Sequence, residues 1–340
     1  MDTRRVNMKL IASIVGVDVS TVSRALNGSR RVKVETREAI LTIARELNYR
    51  PNELARGLVT RKTNTIGIIV PEISNSFYAG VLMAIEKVLT AEGYSMILGL
   101  SHYETRAEKH YLDLFLSKKV DGLIFFSSIF LHLDKYSDLA ETVPAVLVDF
   151  KDTTQNVDLI ASDNIYGVKL VLDYLVSLGH RNIAFITDNV TTGDRLRAFK
   201  LYTKEYGLNC SDYIVHSEIK YEEGGYKSIE KLLSTGLIPT AVFCANDYMA
   251  LGALKAIVEN GLSVPEDISV VGFDDSTLLG FLIRSITTVR QPKYLLGEQA
   301  AKLLIRRIKE NDGTGFFVPR EKVVIKPELI IRDSTGPCKN

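Results

Sequence analysis

The chain has 340 residues, 46% hydrophobic and 24% charged, with a net charge of +1; this composition is globular, and the length calls for two or three domains. No apolar run approaches the ~18 residues of a membrane span, and Met1-Asp-Thr-Arg-Arg5 is not followed by the apolar segment of a signal peptide. Cys210, Cys244 and Cys338 are too few and too scattered for a disulfide framework or a metal site, so a reducing, cytoplasmic setting is expected.

Charge is unevenly spread: residues 1–63 hold 13 Lys/Arg against 6 Asp/Glu, and the remainder holds 29 against 35. A basic head on an acidic body is the electrostatic footprint of nucleic-acid binding confined to one end. Met8–Ile14, Val15-Gly16-Val17 and Asp18–Asn27 read as helix, tight turn, helix. Gly16 supplies a turn conformation that a side chain resists, and Asp18 is expected to cap the second helix through its carboxylate. Val22, Ala25 and Leu26 share one face, to be packed on the first helix, while Ser20, Thr21, Ser23 and Arg24 lie on the others. A short helix that shows small hydroxyls and an arginine suits the major groove of DNA. A third helix is expected over 34–47, with Ile40, Ile43, Ala44 and Leu47 at helical spacing. Pro51 stops it by disfavouring helix at Arg50. Glu53–Leu58 follows as a short helical stretch, then the polar linker Thr60–Asn64.

From Thr65 the texture changes to short, continuously apolar Val/Ile-rich runs: Thr65–Pro71, Ser95–Ser101, Gly122–Ser128, Ala145–Phe150, Leu159–Asp163, Ile183–Asp188, Ile214–Ile219, Ala241–Asp247, Ser269–Asp275 and Lys322–Lys326. Strands of this kind are buried on both faces, as in parallel sheets. Helical patterns over Phe77–Glu92, Arg106–Ser117, Gly167–Leu178, Gly224–Ser234 and Tyr248–Asn260 alternate with them. Two sheets fit this count better than one, divided near Ala161–Asn164 with a return near Thr288–Pro292. Ligands bind outside the carboxyl ends of such strands. Those ends carry Asn75–Tyr78, Ser127-Ser128, Asp149, Asp163, Asn246-Asp247 and Asp274-Asp275, the rims of a cleft for a sugar or small metabolite.

Taken in order, Val17–Gly28, Asn48-Tyr-Arg-Pro-Asn52, Ala55-Arg-Gly-Leu58, Thr65–Pro71, Ile73-Ser-Asn75, Val120–Ile124, Leu178–Phe185, Ala245-Asn-Asp247, Met249–Gly252, Val264–Asp275 and Thr287–Pro292 make the chain resemble the lactose-repressor/galactose-repressor family of bacterial transcription regulators over essentially its whole length. The resemblance implies an all-α helix-turn-helix head (1–50), a hinge helix and linker (51–63), and an α/β periplasmic-binding-protein-like core. That core has two parallel-sheet lobes, 64–162 with 291–321 and 163–290 with 322–340, and an effector cleft between them. It also implies a homodimer on a palindromic double-stranded operator.

Carried over by position, Val19, Ser20 and Arg24 would read bases, and Thr21, Ser23 and Asn27 would hold phosphates; plain helix packing for Val19 and a phosphate contact for Arg24 are the competing readings. Asp18 stands where the family commonly has serine or threonine, and a carboxylate there repels phosphate. Arg56 and Leu58 match the hinge, where Leu58 would wedge into the minor groove or anchor the hinge on the core. For the effector, the resemblance implies contacts from Phe77, Tyr78, Asp149, Arg195, Tyr221, Asn246, Asp275 and Gln291, with Arg195 donating a fork of hydrogen bonds and the aromatic rings forming walls. Ala198 replaces the family's usual glycine. Asp274 reads as a structural turn carboxylate, Asp163 as a helix cap or a ligand contact, and Phe125, Phe126 and Met83 as core or subunit interface.

Enzyme readings fare poorly: the five histidines fall in separate segments without metal spacing or a nucleophile partner, and Gly224-Gly225 lacks the Lys-Ser/Thr of a phosphate loop. No cofactor is expected. The expected function is a cytoplasmic, homodimeric repressor of a carbohydrate-utilisation operon, controlled by a sugar-like effector. A global catabolite regulator answering a phosphorylated carrier protein, or a purine- or nucleoside-responsive repressor, are the alternatives.

Overall fold

Ile11 and Ile40 are fully buried and face Val22 and Ala25 in one small apolar cluster, the core that three short helices share. The computed structural model describes residues 6–29, 31–49, 62–126, 143–149, 158–188, 193–208, 210–310 and 319–339, and the chain divides into two units, Met1–Thr63 and Asn64–Asn340. In the first unit α1 is Met8–Val15, α2 Val19–Leu26 and α3 Val34–Glu46. Asn7 caps α1 by accepting from the Leu10 amide at 3.0 Å, and Gly16 closes it at φ 74°. A side chain at that φ would be strained. Asp18 sits at the N-cap of α2 in extended conformation, but its side chain makes no cap hydrogen bond, contrary to expectation. Arg37 of α3 donates to the carbonyls of Ser29 (2.6 Å) and Val32 (3.4 Å), pinning the loop between α2 and α3.

The second unit holds two six-stranded sheets. In chain order its elements are β1 Thr65–Val70, α4 Ser76–Ala91, β2 Ser95–Leu100, α5 Thr105–Ser117, β3 Gly122–Phe125, β4 Ala145–Val148, β5 Asp158–Ser162, α6 Asn164–Ser177, β6 Ile183–Asp188 and α7 Gly193–Glu205. They continue with β7 Ile214–Ser217, α8 Tyr221–Ser234, β8 Ala241–Cys244, α9 Asp247–Glu259, β9 Ser269–Phe273, β10 Thr287–Arg290, α10 Lys293–Glu310, β11 Lys322–Ile325 and β12 Glu328–Ile330. The first sheet runs β11-β5-β4-β3-β1-β2, all parallel; the second runs β12-β10-β9-β8-β6-β7, parallel except for β12.

Two sheets are present, as expected, with β5 in the first and β6 and β10 in the second; the last strand of the first sheet lies where the second lobe was expected. Lys322–Ile325 pairs in parallel with Leu159–Ser162 and belongs to the first lobe. The chain returns to the second lobe only after Pro327, whose missing N–H cannot continue the ladder, and Glu328–Ile330 then pairs antiparallel with β10. Each lobe has its own core. In the first, Phe77, Val81 and Ile85 of α4 meet Leu296, Ala300 and Leu304 of α10 over the sheet. Phe125 and Phe126 are buried there, while Met83 is 65% exposed. Arg307 of α10 binds Asp158 at the head of β5 through two bonds of 2.8 and 2.9 Å, with both side chains buried. In the second lobe Phe185, Phe199, Phe243 and Phe273 are each fully buried and packed ring against ring. Burial on this scale contributes roughly 1.5–3 kcal/mol per ring.

Gly225 of α8 and Gly252 of α9 lie at the closest approach of the two helices. A Cβ at Gly225 would come 2.0 Å from the Met249 carbonyl, and one at Gly252 would come 1.8 Å from that of Glu222. The absence of side chains lets the two backbones touch, and it fixes where the first turns of α8 and α9 present Tyr221 and Asn246.

Candidate functional site: recognition helix and interlobe cleft

On α2, Val22 and Ala25 are buried, which turns the remaining positions outward. Ser20, Arg24 and Asn27 are exposed, Thr21 and Ser23 half-exposed, and Val19 is 38% exposed and so not spent on packing. The Arg24 guanidinium folds back on Ser20, with Nη2 2.9 Å from the hydroxyl and Nε 3.1 Å from the carbonyl. Arg24 and Ser20 thus present one donor-rich surface, the kind that reads base edges. Arg56 and Leu58 lie outside the described residues, as do Ser127 and Ser128.

In the second unit the strand ends enclose a cavity of about 30 Å³, room for a water or two. Phe77, Tyr78, Asp149, Arg195, Tyr221, Asn246 and Gln291 line it, together with Asn75, Tyr103 and Asp274. Asn75 and Asn246 cap α4 and α9, each side-chain carbonyl accepting a helix amide at 2.9 Å. Their NH₂ groups remain as donors fixed at two helix N-termini, where the partial positive charge favours a ligand oxygen. Asp163 likewise caps α6, accepting from the Tyr166 amide at 2.9 Å, and does not line the cavity.

Arg195 enters from α7, almost wholly buried. Its guanidinium lies 3.7 Å from the centroid of the Phe273 ring and donates to the carbonyl of Ala245, to Asn164 Oδ1 at 3.4 Å and to Asp274 Oδ1 at 3.4 Å. Ala198, one turn on, is buried in the core without disturbing it. Gln291 donates to the same Asp274 oxygen at 2.6 Å, and its own Oε1 is buried with no donor on it among the described residues. Burial pushes the Asp274 carboxyl up from its ordinary range, against the pull of Arg195 and Gln291.

Asp274, read from the sequence as a structural turn carboxylate, lines the cavity, and Asp275, expected among the effector contacts, lies outside that lining. Asp275 accepts from Arg290 at 2.6 Å and from Arg332, so although burial opposes its charge, the two arginines hold its carboxyl below the usual range. Asp274 stands at φ 118° and Asp275 at φ 50°. That kink turns the first carboxylate inward and the second outward.

Tyr103, in the loop after β2, went unmarked in the sequence because a lone tyrosine in a loop carries no periodic signal. Its hydroxyl donates to Glu72 at 2.8 Å and lies 3.4 Å from the hydroxyls of both Tyr78 and Tyr221. Burial raises the pKa of both phenols, reinforced at Tyr103 by Tyr78 and Glu72 and at Tyr78 by the charges of Asp149 and Asp274, which keeps them protonated. His102, Tyr103, Asp149, Tyr221, Asp274 and Asp275 all have positive φ. Such backbone costs about 1–3 kcal/mol per residue and persists where surroundings over-determine it, as at ligand clamps.

The lobes meet around this cavity. Ser76 Oγ is 2.8 Å from Ser276 Oγ, Tyr248 donates to the Ser74 carbonyl at 3.3 Å, and Lys293 donates to the Asp275 carbonyl at 3.0 Å. A pocket for a small organic ligand is typically about 300–1,000 Å³, so entry requires these contacts to part. Among the described lining residues Arg195 is the one cation; it is paired with Asp274, and Asp149 lines the same cavity. The lining therefore offers acceptors and fixed amides to hydroxyls, between aromatic walls, and no spare positive charge to an anion.

Among the described residues no helix is long and apolar enough to cross a membrane, and no group of His, Cys, Asp or Glu is arranged to hold a metal.

Comparison with known proteins agrees with both units. Residues 7–52 match the bacterial regulatory proteins of the lacI family, and residues 172–335 match the periplasmic binding protein-like domain. The HTH-type transcriptional repressor PurR of Histophilus somni is 35% identical, over 96% of this chain and 98% of that protein. The ribose operon repressor of Haemophilus influenzae is also 35% identical, over 98% and 99%. The Lac repressor dimer bound to operator and the anti-inducer ONPF superposes with a TM-score of 0.87 at 28% identity, over 97% of this chain and 99% of that one.

Proposed function

This chain belongs to the lacI family of bacterial regulatory proteins: it is a transcriptional repressor, not an enzyme, with an operator-binding head and a ligand-binding core. From that premise we propose that its effector is an uncharged monosaccharide, with ribose the first to try, and that it controls a carbohydrate-utilisation operon as a cytoplasmic homodimer on a palindromic operator. The observation that carries this reading is the lining of the cleft. Asp149, Asp274 and Gln291 Oε1 are acceptors for vicinal hydroxyls, Asn75 and Asn246 are fixed donors, and Phe77, Tyr78 and Tyr221 supply walls. Arg195 is already countered by Asp274, which disfavours sugar phosphates and other anions. Asn27, Ser20, Thr21, Ser23, Val19 and Arg24 form the operator-reading surface in this account. Effector binding changes operator affinity through its unequal affinity for the open and closed core, a coupling of ~1–3 kcal/mol.

Thermal unfolding of the full chain with ribose, other neutral sugars, ribose 5-phosphate and free purines tests it. A ligand at ~100 times its Kd adds about 2.7 kcal/mol, so a rise of several degrees with a neutral monosaccharide is expected, together with a change in operator retention on a gel. A rise with purines alone moves the assignment to a purine-responsive repressor, which the aromatic walls would serve. A rise with the sugar phosphate alone overturns the neutral-ligand reading.

A further inference from the structure

We infer that Tyr103 and Tyr221 form a gate across one end of the cleft, and that this gate limits the effector to a single sugar ring. The inference rests on the monosaccharide reading above and adds the residues that set ligand length.

Tyr103 belongs to the first lobe, Tyr221 opens α8 in the second, and their hydroxyls are 3.4 Å apart. At the same place Lys220 of the second lobe sets its ammonium 3.6 Å from the centroid of the Tyr103 ring, a close cation–π contact. Both tyrosines sit on backbone that side chains rarely adopt, φ 63° and 60°, and His102 precedes at 52°. The Tyr103 hydroxyl is anchored by Glu72 at 2.8 Å, and the Tyr221 ring is braced edge-on by Tyr248 at 5.4 Å. Two residues on strained backbone, each side chain separately braced, meet from opposite lobes.

The other closing contacts differ in one respect. Ser76, Ser276, Tyr248 and Ser74 do not line the cavity, whereas Tyr103 and Tyr221 do. The first group closes whatever the ligand's length; the tyrosine pair closes only on a ligand that ends before it. A second ring would hold the phenols apart and forfeit both the Tyr103–Tyr221 and the Lys220–Tyr103 contacts. The closed state would then lose its advantage for that ligand.

The test uses the full chain with Tyr103→Ala and Tyr103→Phe. Hydrogen exchange of residues 220–226 without any sugar reads the gate directly. Faster exchange in Tyr103→Ala is expected, and unchanged exchange in both variants overturns the gate whatever the ligand proves to be. Calorimetric titration with ribose, glucose, maltose and cellobiose then reads the length filter. The unaltered chain should take a monosaccharide and refuse both disaccharides, and Tyr103→Ala should narrow that preference by about tenfold or more, ~1.4 kcal/mol. Tyr103→Phe, which keeps the ring under Lys220, should retain the length preference. A monosaccharide-binding protein whose preference is the same in Tyr103→Ala overturns the filter. Changed exchange with no monosaccharide bound leaves the gate standing and overturns the effector class.

Discussion

Arg195 and Asp274 meet 3.4 Å apart at the buried end of the cleft, the guanidinium resting on the Phe273 ring and the carboxylate shared with Gln291. Both side chains are almost wholly buried. Removing one partner of a buried pair costs about 3–5 kcal/mol because the other is stranded. Arg195→Ala should therefore lower the midpoint of core unfolding as well as abolish the effector response. Arg195→Lys separates the two effects: it keeps the charge but loses the planar fork. Calorimetry should show effector binding weakened more than tenfold, while operator retention on a gel without effector stays as before.

The neighbouring carboxylates should part company in the same assay. Asp274→Asn removes a charge that faces the cavity and should weaken sugar binding by tenfold or more, about 1.4 kcal/mol. Asp275→Asn breaks its bonds with Arg290 and Arg332 outside the cavity. It should lower stability by about 1 kcal/mol, a partly exposed pair being worth little more, and leave sugar affinity within twofold. The reverse pattern would restore the assignment that the sequence suggests.

That inversion marks where the sequence ceases to be legible. Val22 and Ala25 announce the buried face of α2 by spacing, and strand ends announce the cleft, whose lining holds Phe77, Tyr78, Asp149, Arg195, Tyr221, Asn246 and Gln291 together. Two adjacent aspartates carry no such signal, because which one turns inward is decided by the backbone at 274 and 275. The helix Gly193–Glu205 is rich in charge along its exposed face, so its apolar period is faint. Lys322–Ile325 reads equally well as an edge of either sheet, and only the pairing with β5 resolves it.

The close approach of α8 and α9 is testable by adding one methyl group. Gly225→Ala or Gly252→Ala would place a Cβ about 2 Å from a backbone carbonyl, an atom that cannot swing aside. Overpacking of this kind typically costs about 1–3 kcal/mol. The helices should spread, so chemical unfolding should show lower stability, and sugar affinity should fall with it because Tyr221 and Asn246 ride on those first turns. A variant as stable as the parent would mean that the two helices can slide.

Arg24 offers a separate reading of the head. Exposed and, among the described residues, held only to Ser20, it can exchange that partner for a base edge. Arg24→Ala should weaken operator binding by about 1–3 kcal/mol and relax preference at one base pair per half-site. A uniform loss over all sequences, with the salt slope reduced by about one, would instead assign it to a phosphate.

Asp247 makes the core's stability depend on pH. Fully buried, it accepts from the Ser276 amide at 2.5 Å and from Thr288 at 2.6 Å, and burial with the charge of Asp274 pushes its pKa up to about 7. The folded protein therefore binds a proton more tightly than the unfolded chain, whose aspartate titrates near 3.8. Stabilisation from this group is complete below that unfolded value and is lost as pH rises through about 7, by at most ~1.4 kcal/mol per pH unit between the two. His180 works the other way below its ordinary value, since burial lowers its pKa, so the total profile mixes both signs. The difference between the parent and Asp247→Asn isolates the aspartate. Between pH 8 and 5.5 the Tm of the parent should gain several degrees on that of the variant. Parallel Tm profiles would show that Asp247 stays ionised in the fold.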